Sequence, residues 1–257
     1  MDLTTLIGII TGLVLIIISI FLSSGVKGLM GFVHPPSAML TFGGAFAATL
    51  VNYPFKQLVA VFKIVKKVFL SREYNALYLI DDIVKLTKKA RTQGILSVEE
   101  DIKKLDNEFL RKGFSMVLSN LDAEVIRKEL ETEIIFLKER HKIGQEIMIT
   151  IGTYLPAFGM LGTITGLIMM LAKLEDQTQI ATGMAVALLT TFYGALAAYL
   201  FFLPVAGKLK RRSEEEVLIR EVIIEGILSM KLGDIPSVIE SKLKAFLPPK
   251  MRESKTK

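Results

Sequence analysis

Residues 187–199, ALLTTFYGALAAY, lie within a stretch that carries no charged residue from Gln177 to Gly207. A stretch of this length can cross roughly 30 Å of hydrocarbon as a helix. It places small residues at helical spacing and sets Thr190 beside Thr191. We therefore predict a membrane-spanning helix with one face of small side chains and two adjacent hydroxyl groups.

Three other long stretches also lack Asp, Glu, Lys and Arg: Leu3–Val26, Gly28–Phe55 and Ile147–Ala172. The second begins with glycines and prolines, so its spanning part is predicted to be Ser37–Tyr53. Hydrophobic residues make up 51% of the chain while charged residues reach 23%, and the two classes are separated along it. The sequence thus predicts an all-α, polytopic membrane protein with four transmembrane helices.

Basic residues mark one side of the membrane. They cluster after the second span, before the third and after the fourth: Lys56, Lys63, Lys66, Lys67, Lys138, Arg140, Lys142, Lys208, Lys210, Arg211 and Arg212. By the positive-inside rule, the long middle segment and both termini are cytoplasmic. The same residues account for much of the net charge of +6, so we expect no nucleic-acid partner.

This topology divides the chain into two membrane parts and two cytoplasmic helical parts. The parts are 1–54 (spans one and two), 55–146 (cytoplasmic domain), 147–207 (spans three and four) and 208–257 (C-terminal tail). Apolar residues at helical spacing predict cytoplasmic helices over Tyr78–Gln93, Glu124–Glu146 and Glu214–Met230, with a last helix from Pro236 through Phe246. The segment 97–100, SVEE, has the form of a capping box that starts a further helix.

Enzyme signatures are missing from this sequence. It contains no Walker-type glycine loop, no GxGxxG after a strand, no HExxH and no CxxC, and it has no cysteine. His34 and His141 are far apart and are predicted on opposite sides of the membrane. We therefore expect no catalytic residue and no bound cofactor.

The predicted spans contain no Asp, Glu, Lys or Arg. Ion pathways in membranes usually need an ionisable group, so a carboxylate-based relay would require a second chain. Small residues recur every four positions in span four, at Gly183, Ala187, Thr191 and Ala195. Such a face allows close helix packing, and threonine hydroxyls can bond their own helix, so a packing role and a functional role both remain open.

Two prolines are candidates for hinges. Pro156 lies inside span three, where it removes a backbone hydrogen bond and frees a carbonyl group. Pro204 lies near the cytoplasmic end of span four and fits either a hinge or a simple helix exit.

Four segments of the chain resemble the MotA/PomA family, the ring-forming subunit of the bacterial flagellar stator. They are PSAMLTFGGAFAATLVNYP (36–54), LPAFGMLGTITGLIMML (155–171), ALLTTFYGALAAYLFFLP (187–204) and EGILSMKLGDIPSVIESKLKAFLPP (225–249). The order of spans and cytoplasmic segments is similar as well, so the resemblance covers nearly the whole chain.

The resemblance implies a homopentamer in the inner membrane around a dimer of MotB/PomB, a single-span partner. The partner's membrane aspartate would carry the ion, and its periplasmic domain would hold peptidoglycan. Ion flow between the partner helix and the ring's third and fourth spans would turn the ring against the rotor protein FliG. The expected function is therefore flagellar motility rather than enzymatic catalysis.

Family roles carry over to matching residues. Arg91 and Glu99 match the charged pair that meets FliG, although both are also typical of a solvated helix face. Pro156 and Pro204 match the prolines that couple ion binding to movement.

The transported ion is predicted from three threonines. Sodium-driven members resemble this chain in the pair Thr190–Thr191 and in Thr163, whereas proton-driven members more often have alanine or glycine in part of this set. Sodium is a hard cation that exchanges hydration waters for oxygen ligands, which hydroxyl groups provide. We therefore expect a transient sodium site at these residues, with the proton as the alternative ion.

Three other functions fit this sequence less well. An ExbB/TolQ-type energiser resembles the last two spans but has one span fewer. A self-sufficient channel is disfavoured because the spans lack a carboxylate. A purely structural scaffold leaves Pro156 and the threonines unexplained.

Overall fold

The computed structural model describes residues 3–70 and 76–249, and every regular element in these ranges is helical. The ends of the predicted first and last parts, residues 1–2 and 250–257, lie outside the description, as do residues 71–75. The side chains of Lys63, Lys66 and Lys67, which contribute to the predicted membrane orientation, also lie outside the description. Within the described ranges, the predicted all-α fold is confirmed.

The chain forms two compact units. The first combines residues 1–72 with 141–211, and the second combines residues 73–140 with 212–257. The first contains the predicted spans, and the second contains most of the predicted cytoplasmic helices. Among the described residues, three helices are long and apolar enough to cross a membrane: Thr4–Met30, Ala123–Leu171 and Gln177–Lys231.

The first unit begins with α1 (Leu3–Met30), followed by three short helical segments in series. These are α2 (Pro35–Ala38), a π-helical turn (Met39–Gly43) and α3 (Gly44–Asn52), and they cover the predicted second span. This region is outside the three long apolar helices because it is divided into short helical segments. Its buried residues recur every four positions, at Ser37, Thr41, Ala45 and Thr49, so one polar and small face points into the protein.

The next helices are α4 (Phe55–Leu70), α5 (Ala76–Gln93), a 3-10 turn (Ile95–Val98), α6 (Glu99–Lys103) and α7 (Glu108–Leu118). The chain continues with α8 (Ala123–Leu171), α9 (Gln177–Ala197), a π-helical turn (Ala198–Phe202), α10 (Leu203–Lys231) and α11 (Pro236–Lys244). The predicted cytoplasmic helices over Glu124–Glu146 and Glu214–Met230 are therefore parts of longer helices. A change from polar to apolar residues alters the surroundings of a helix but leaves its backbone hydrogen bonds intact, and no stop signal interrupts either region.

The second unit has an apolar core built from the predicted helical stripes. Ile83 of α5, Phe114 of α7, Leu130 of α8 and Ile227 of α10 are all fully buried. The predicted end of α10 is confirmed: Gly233 has φ 84°, and the Asp234 amide donates to the Ser229 carbonyl at 3.0 Å. This is the left-handed closing residue and six-to-one bond of a Schellman motif.

The predicted capping box at Ser97 is wrong. The Ser97 hydroxyl donates to the Gly94 carbonyl at 2.7 Å, and Val98 precedes α6 without a side-chain cap. Gly94 has φ 87°, which turns the chain into a 3-10 segment and places Ser97 inside that segment. The serine therefore satisfies a turn carbonyl instead of the first helical amides.

Candidate functional site

Glycines bring α8 and α9 into backbone contact. A Cβ atom added at Gly159 would lie 2.9 Å from the Thr190 carbonyl oxygen and 3.2 Å from the Thr191 Cα. One added at Gly166 would lie 2.6 Å from the Ala187 nitrogen. These distances are too short for any larger residue, so the predicted small-residue faces pack directly on each other.

Pro156 lies at the same contact, inside α8. A Cβ atom at Gly194 of α9 would lie 3.2 Å from the Pro156 Cα and 3.1 Å from the Leu155 carbonyl carbon. The proline, which interrupts the backbone hydrogen bonding of α8, thus packs against the helix that carries the threonine pair.

Pro204 is exposed in the first turn of α10 and does not end the helix. The π-helical turn Ala198–Phe202 immediately precedes it, and the Leu203 amide donates to the Ala198 carbonyl five residues earlier. Proline cannot donate a hydrogen bond and clashes with the carbonyl four residues before it. A locally wider turn relieves both effects, and such turns are frequent at functional sites.

Thr163 and Thr191 form a hydroxyl pair between α8 and α9. Their Oγ1 atoms are 2.5 Å apart, and each hydroxyl also reaches the Ala187 carbonyl oxygen, at 3.1 Å and 3.2 Å respectively. Thr191 is exposed and Thr163 is half-buried. Each hydroxyl has one hydrogen but two lone pairs, so the pair can offer neutral oxygen ligands to a cation at the surface of the two helices.

Thr190 is placed differently from its neighbour. It is fully buried, and its Oγ1 donates within α9 to the Val186 carbonyl at 2.9 Å. A Cβ atom at Gly162 would overlap its side chain. Adjacent helical residues point about 100° apart, so the structure joins Thr163 with Thr191 and leaves Thr190 in the packing between the helices.

No acidic group accompanies the hydroxyl pair. Among the described residues, there is no group of three or more His, Cys, Asp or Glu that could hold a metal ion, and the α8–α9 contact itself carries no carboxylate. An ion that passes this surface would therefore meet neutral oxygens from this chain and would need its charge balanced by another.

Arg91 and Glu99 lie on the two sides of the Gly94 turn, and both are exposed. Glu99 pairs with Lys103 at 2.7 Å, and this hydrogen bond holds the pKa of the Glu99 carboxyl below its ordinary value. Arg91 makes no ion pair with a described residue. The two predicted rotor-facing charges therefore do not pair with each other, and both side chains lie at the surface.

Comparison with known proteins decides the family. The sequence profile of the MotA/TolQ/ExbB proton channel family matches residues 101–222. Motility protein A of Treponema pallidum is 36% identical over 253 residues, which cover 98% of this chain and 96% of that protein. The chemotaxis protein PomA of Vibrio alginolyticus is 36% identical over 247 residues, 96% of each chain. The chain belongs to the MotA/PomA family.

A solved structure agrees with this result. The structure of the flagellar MotAB stator complex from Bacillus subtilis superposes with a TM-score of 0.89 and 33% identity over 98% of each chain. The family predicted from the sequence is thus confirmed, and this MotA/PomA family member is a stator-type membrane subunit of the flagellar motor rather than an enzyme. The match extends over almost the whole chain, including both of the first two spans, whereas the ExbB/TolQ alternative has one span fewer.

Two polar features of this MotA/PomA family member were not predicted. Tyr193 of α9 bonds the segment that connects α1 with α2. In the second unit, Arg220 pairs with Glu133 at 2.9 Å and with Glu216 at 3.1 Å, and its Cζ lies 4.6 Å from the centroid of the Phe109 ring. No sequence pattern identified these partners.

Proposed function

We propose that this MotA/PomA family member forms a homopentameric ring in the inner membrane around a dimer of a MotB/PomB-type partner. Both termini and the parts 55–146 and 208–257 are cytoplasmic, and the parts 1–54 and 147–207 cross the lipid bilayer. The observation that carries the proposal is the Thr163–Thr191 hydroxyl pair, which lies at the glycine-packed contact of α8 and α9 with no carboxylate of its own. A partner carboxylate completes this site.

The transported ion is sodium. The two hydroxyl oxygens lie 2.5 Å apart on a surface that includes the exposed Thr191, which suits a hard cation that replaces part of its hydration shell with oxygen ligands. Each charge that crosses supplies about 2.3 kcal/mol per 100 mV of membrane potential. Thr190 has a packing role and assists the site only by supporting Thr191. The site binds the ion transiently and holds no resident cofactor.

Ion passage bends the two long helices α8 and α10 at Pro156 and Pro204, which act as hinges. Pro156 packs against Gly194 of α9, the helix that carries Thr191. Pro204 follows the π-helical turn that comes directly after α9. A displacement of the Thr163–Thr191 pair therefore occurs close to two irregular places in the helices. One is the missing backbone hydrogen bond at Pro156 in α8, and the other is the π-helical turn before α10. Both are places where a helix changes direction at low cost.

Replacement of Thr163 and Thr191 with alanine tests the ion site. We expect the sodium concentration for half-maximal swimming speed to rise about tenfold in the double variant, because two oxygen ligands are lost. The measurement uses a stator-less host that carries this chain and its partner, with sodium and proton gradients varied separately. The matched control is Thr165→Ala with Thr182→Ala, since both threonines are exposed and bond only their own helices. A sodium response of the double variant equal to that of the unaltered chain would contradict the site.

The rotor contact of the cytoplasmic part is made by Arg91 and Glu99, which meet FliG. Combined substitution Arg91→Glu and Glu99→Lys is expected to reduce motor torque by more than half, while membrane accumulation and partner binding stay unchanged. Torque is measured from tethered cells, and partner binding is measured by co-purification. The control reverses the half-exposed pair Glu240–Lys244 of α11, whose Oε1 and Nζ atoms are 2.6 Å apart. Normal torque in the first variant would reject the assignment.

A further inference from the structure

One tyrosine hydroxyl bonds the segment that connects α1 with α2 at two backbone groups. Tyr193 of α9 donates a hydrogen bond to the Phe32 carbonyl at 2.5 Å and accepts one from the His34 amide at 3.0 Å. The residues between α1 and α2 are not helical, so neither backbone group has a regular helical partner. One side chain of the fourth span therefore satisfies both.

Both hydrogen bonds are partly buried within the first unit. Backbone groups that are shielded from water are costly to leave without a partner. The position of the Tyr193 hydroxyl is therefore tightly constrained. Because Tyr193 belongs to α9, this constraint also restricts the rotation of α9 about its own axis.

A second bond acts on the same helix one turn earlier. The Thr41 hydroxyl donates to the Thr190 carbonyl at 3.4 Å, and the Phe42 ring stacks on Tyr193 with centroids 6.3 Å apart. Tyr193 projects about 200° away from Thr191 on the helix. The contacts with the second span thus hold α9 from the side opposite the hydroxyl pair.

A rotation of α9 about its own axis would change which residue faces α8. Successive residues differ by about 100°, so turning the helix by one position would bring Thr190 or Phe192 to the place of Thr191.

We propose that Tyr193 is a positioning residue for the ion site: its two hydrogen bonds to the α1–α2 connection set the rotation of α9 that directs Thr191 at Thr163. The consequence for ion use rests on the function proposed above, whereas the geometric consequence does not.

Disulfide formation measures the geometry directly. The chain has no cysteine, so Thr163→Cys with Thr191→Cys introduces one pair, in full-length protein co-expressed with its partner and oxidised in membranes. Adding Tyr193→Phe keeps the ring and removes the hydroxyl, and we expect the cross-linked fraction to fall at least threefold. Tyr154→Phe is the control, because that hydroxyl makes no hydrogen bond with a described residue, and it should leave the fraction unchanged.

A second variant guards against loss of the protein. Thr41→Val removes the neighbouring bond to α9 while keeping the side-chain shape, and it should lower the cross-linked fraction in the same direction. If Tyr193→Phe does not accumulate, this variant decides the question. An unchanged cross-linked fraction in the variants that accumulate overturns the proposal.

Motor function separates this proposal from the proposed ion site. In the threonine-containing chain, Tyr193→Phe should raise the sodium concentration for half-maximal speed by about fivefold, with maximal speed nearly unchanged. A sodium-driven motor whose half-maximal concentration is unaffected by Tyr193→Phe contradicts the positioning role and leaves the sodium site standing. Reduced cross-linking in a motor that responds only to protons supports the positioning role and rejects the sodium site.

Discussion

Gly166→Val is expected to abolish motility, because α8 and α9 can no longer reach their native contact. A Cβ atom at Gly166 would overlap the Gly183 carbonyl and lie 2.9 Å from the Ala187 Cβ. The opposing atoms belong mostly to backbone and cannot turn aside as a flexible side chain would. Overpacking of this kind costs about 1–3 kcal/mol or more, and in lipid the close fit itself drives helix association.

The effect of Gly166→Val is measured by co-purification of the partner and by swimming in soft agar. Gly207→Val serves as its control, because a Cβ atom at the exposed Gly207 of α10 meets no atom within 4 Å. We expect the control to retain both partner binding and motility. A Gly166→Val variant that assembles and swims normally would show that the helices do not rely on this contact.

Arg220→Met is expected to destabilise the second unit by about 2 kcal/mol. The Arg220 side chain is 18% exposed. Its guanidinium group pairs with Glu133 and Glu216 and lies over the Phe109 ring. Methionine preserves the length of the side chain but leaves both carboxylates with fewer partners. The predicted readout is a lower unfolding temperature of the purified complex together with faster proteolysis of its cytoplasmic segments.

The Arg220→Met difference should also depend on pH. Burial acts to raise the pKa of the Glu133 carboxyl, but hydrogen bonds from Lys112 and Arg220 overcome this effect and hold the pKa below its ordinary value. A carboxyl with a lowered folded pKa stabilises the protein above its unfolded pKa, and this contribution is lost as the pH falls through the folded pKa. The difference in unfolding free energy between the unaltered chain and Arg220→Met should therefore become smaller as the pH is lowered.

The control for Arg220→Met is Arg127→Met. Arg127 pairs with Glu131 at 3.5 Å, and both side chains are about half exposed. Exposed pairs of this kind contribute about 0.2–1 kcal/mol, so we expect a small change that varies little with pH. Equal unfolding temperatures for the two variants would contradict the role assigned to Arg220.

Local patterns were sufficient for much of the architecture. Charge-free stretches marked the apolar helices, and the apolar spacing around Ile83 and Leu130 identified stripes that form the core of the second unit. Gly233 and Pro236 marked the last helical boundary correctly. The boundary at Ser97 failed because the left-handed Gly94 redirected the turn, and the continuity of α8 and α10 was missed because a change in polarity resembles a change of element.

The sequence by itself determined that this chain is an all-helical membrane protein of the MotA/PomA family, with small residues and threonines in its last two spans and no carboxylate there. These properties depend on composition and spacing, which are local. Only the tertiary structure decided that Thr191 meets Thr163 while Thr190 is buried, and that Tyr193 bonds the distant Phe32–His34 segment. Adjacent threonines are equivalent in a sequence pattern, and they become different only when glycine contacts and long-range hydrogen bonds set the rotation of one helix against its neighbours.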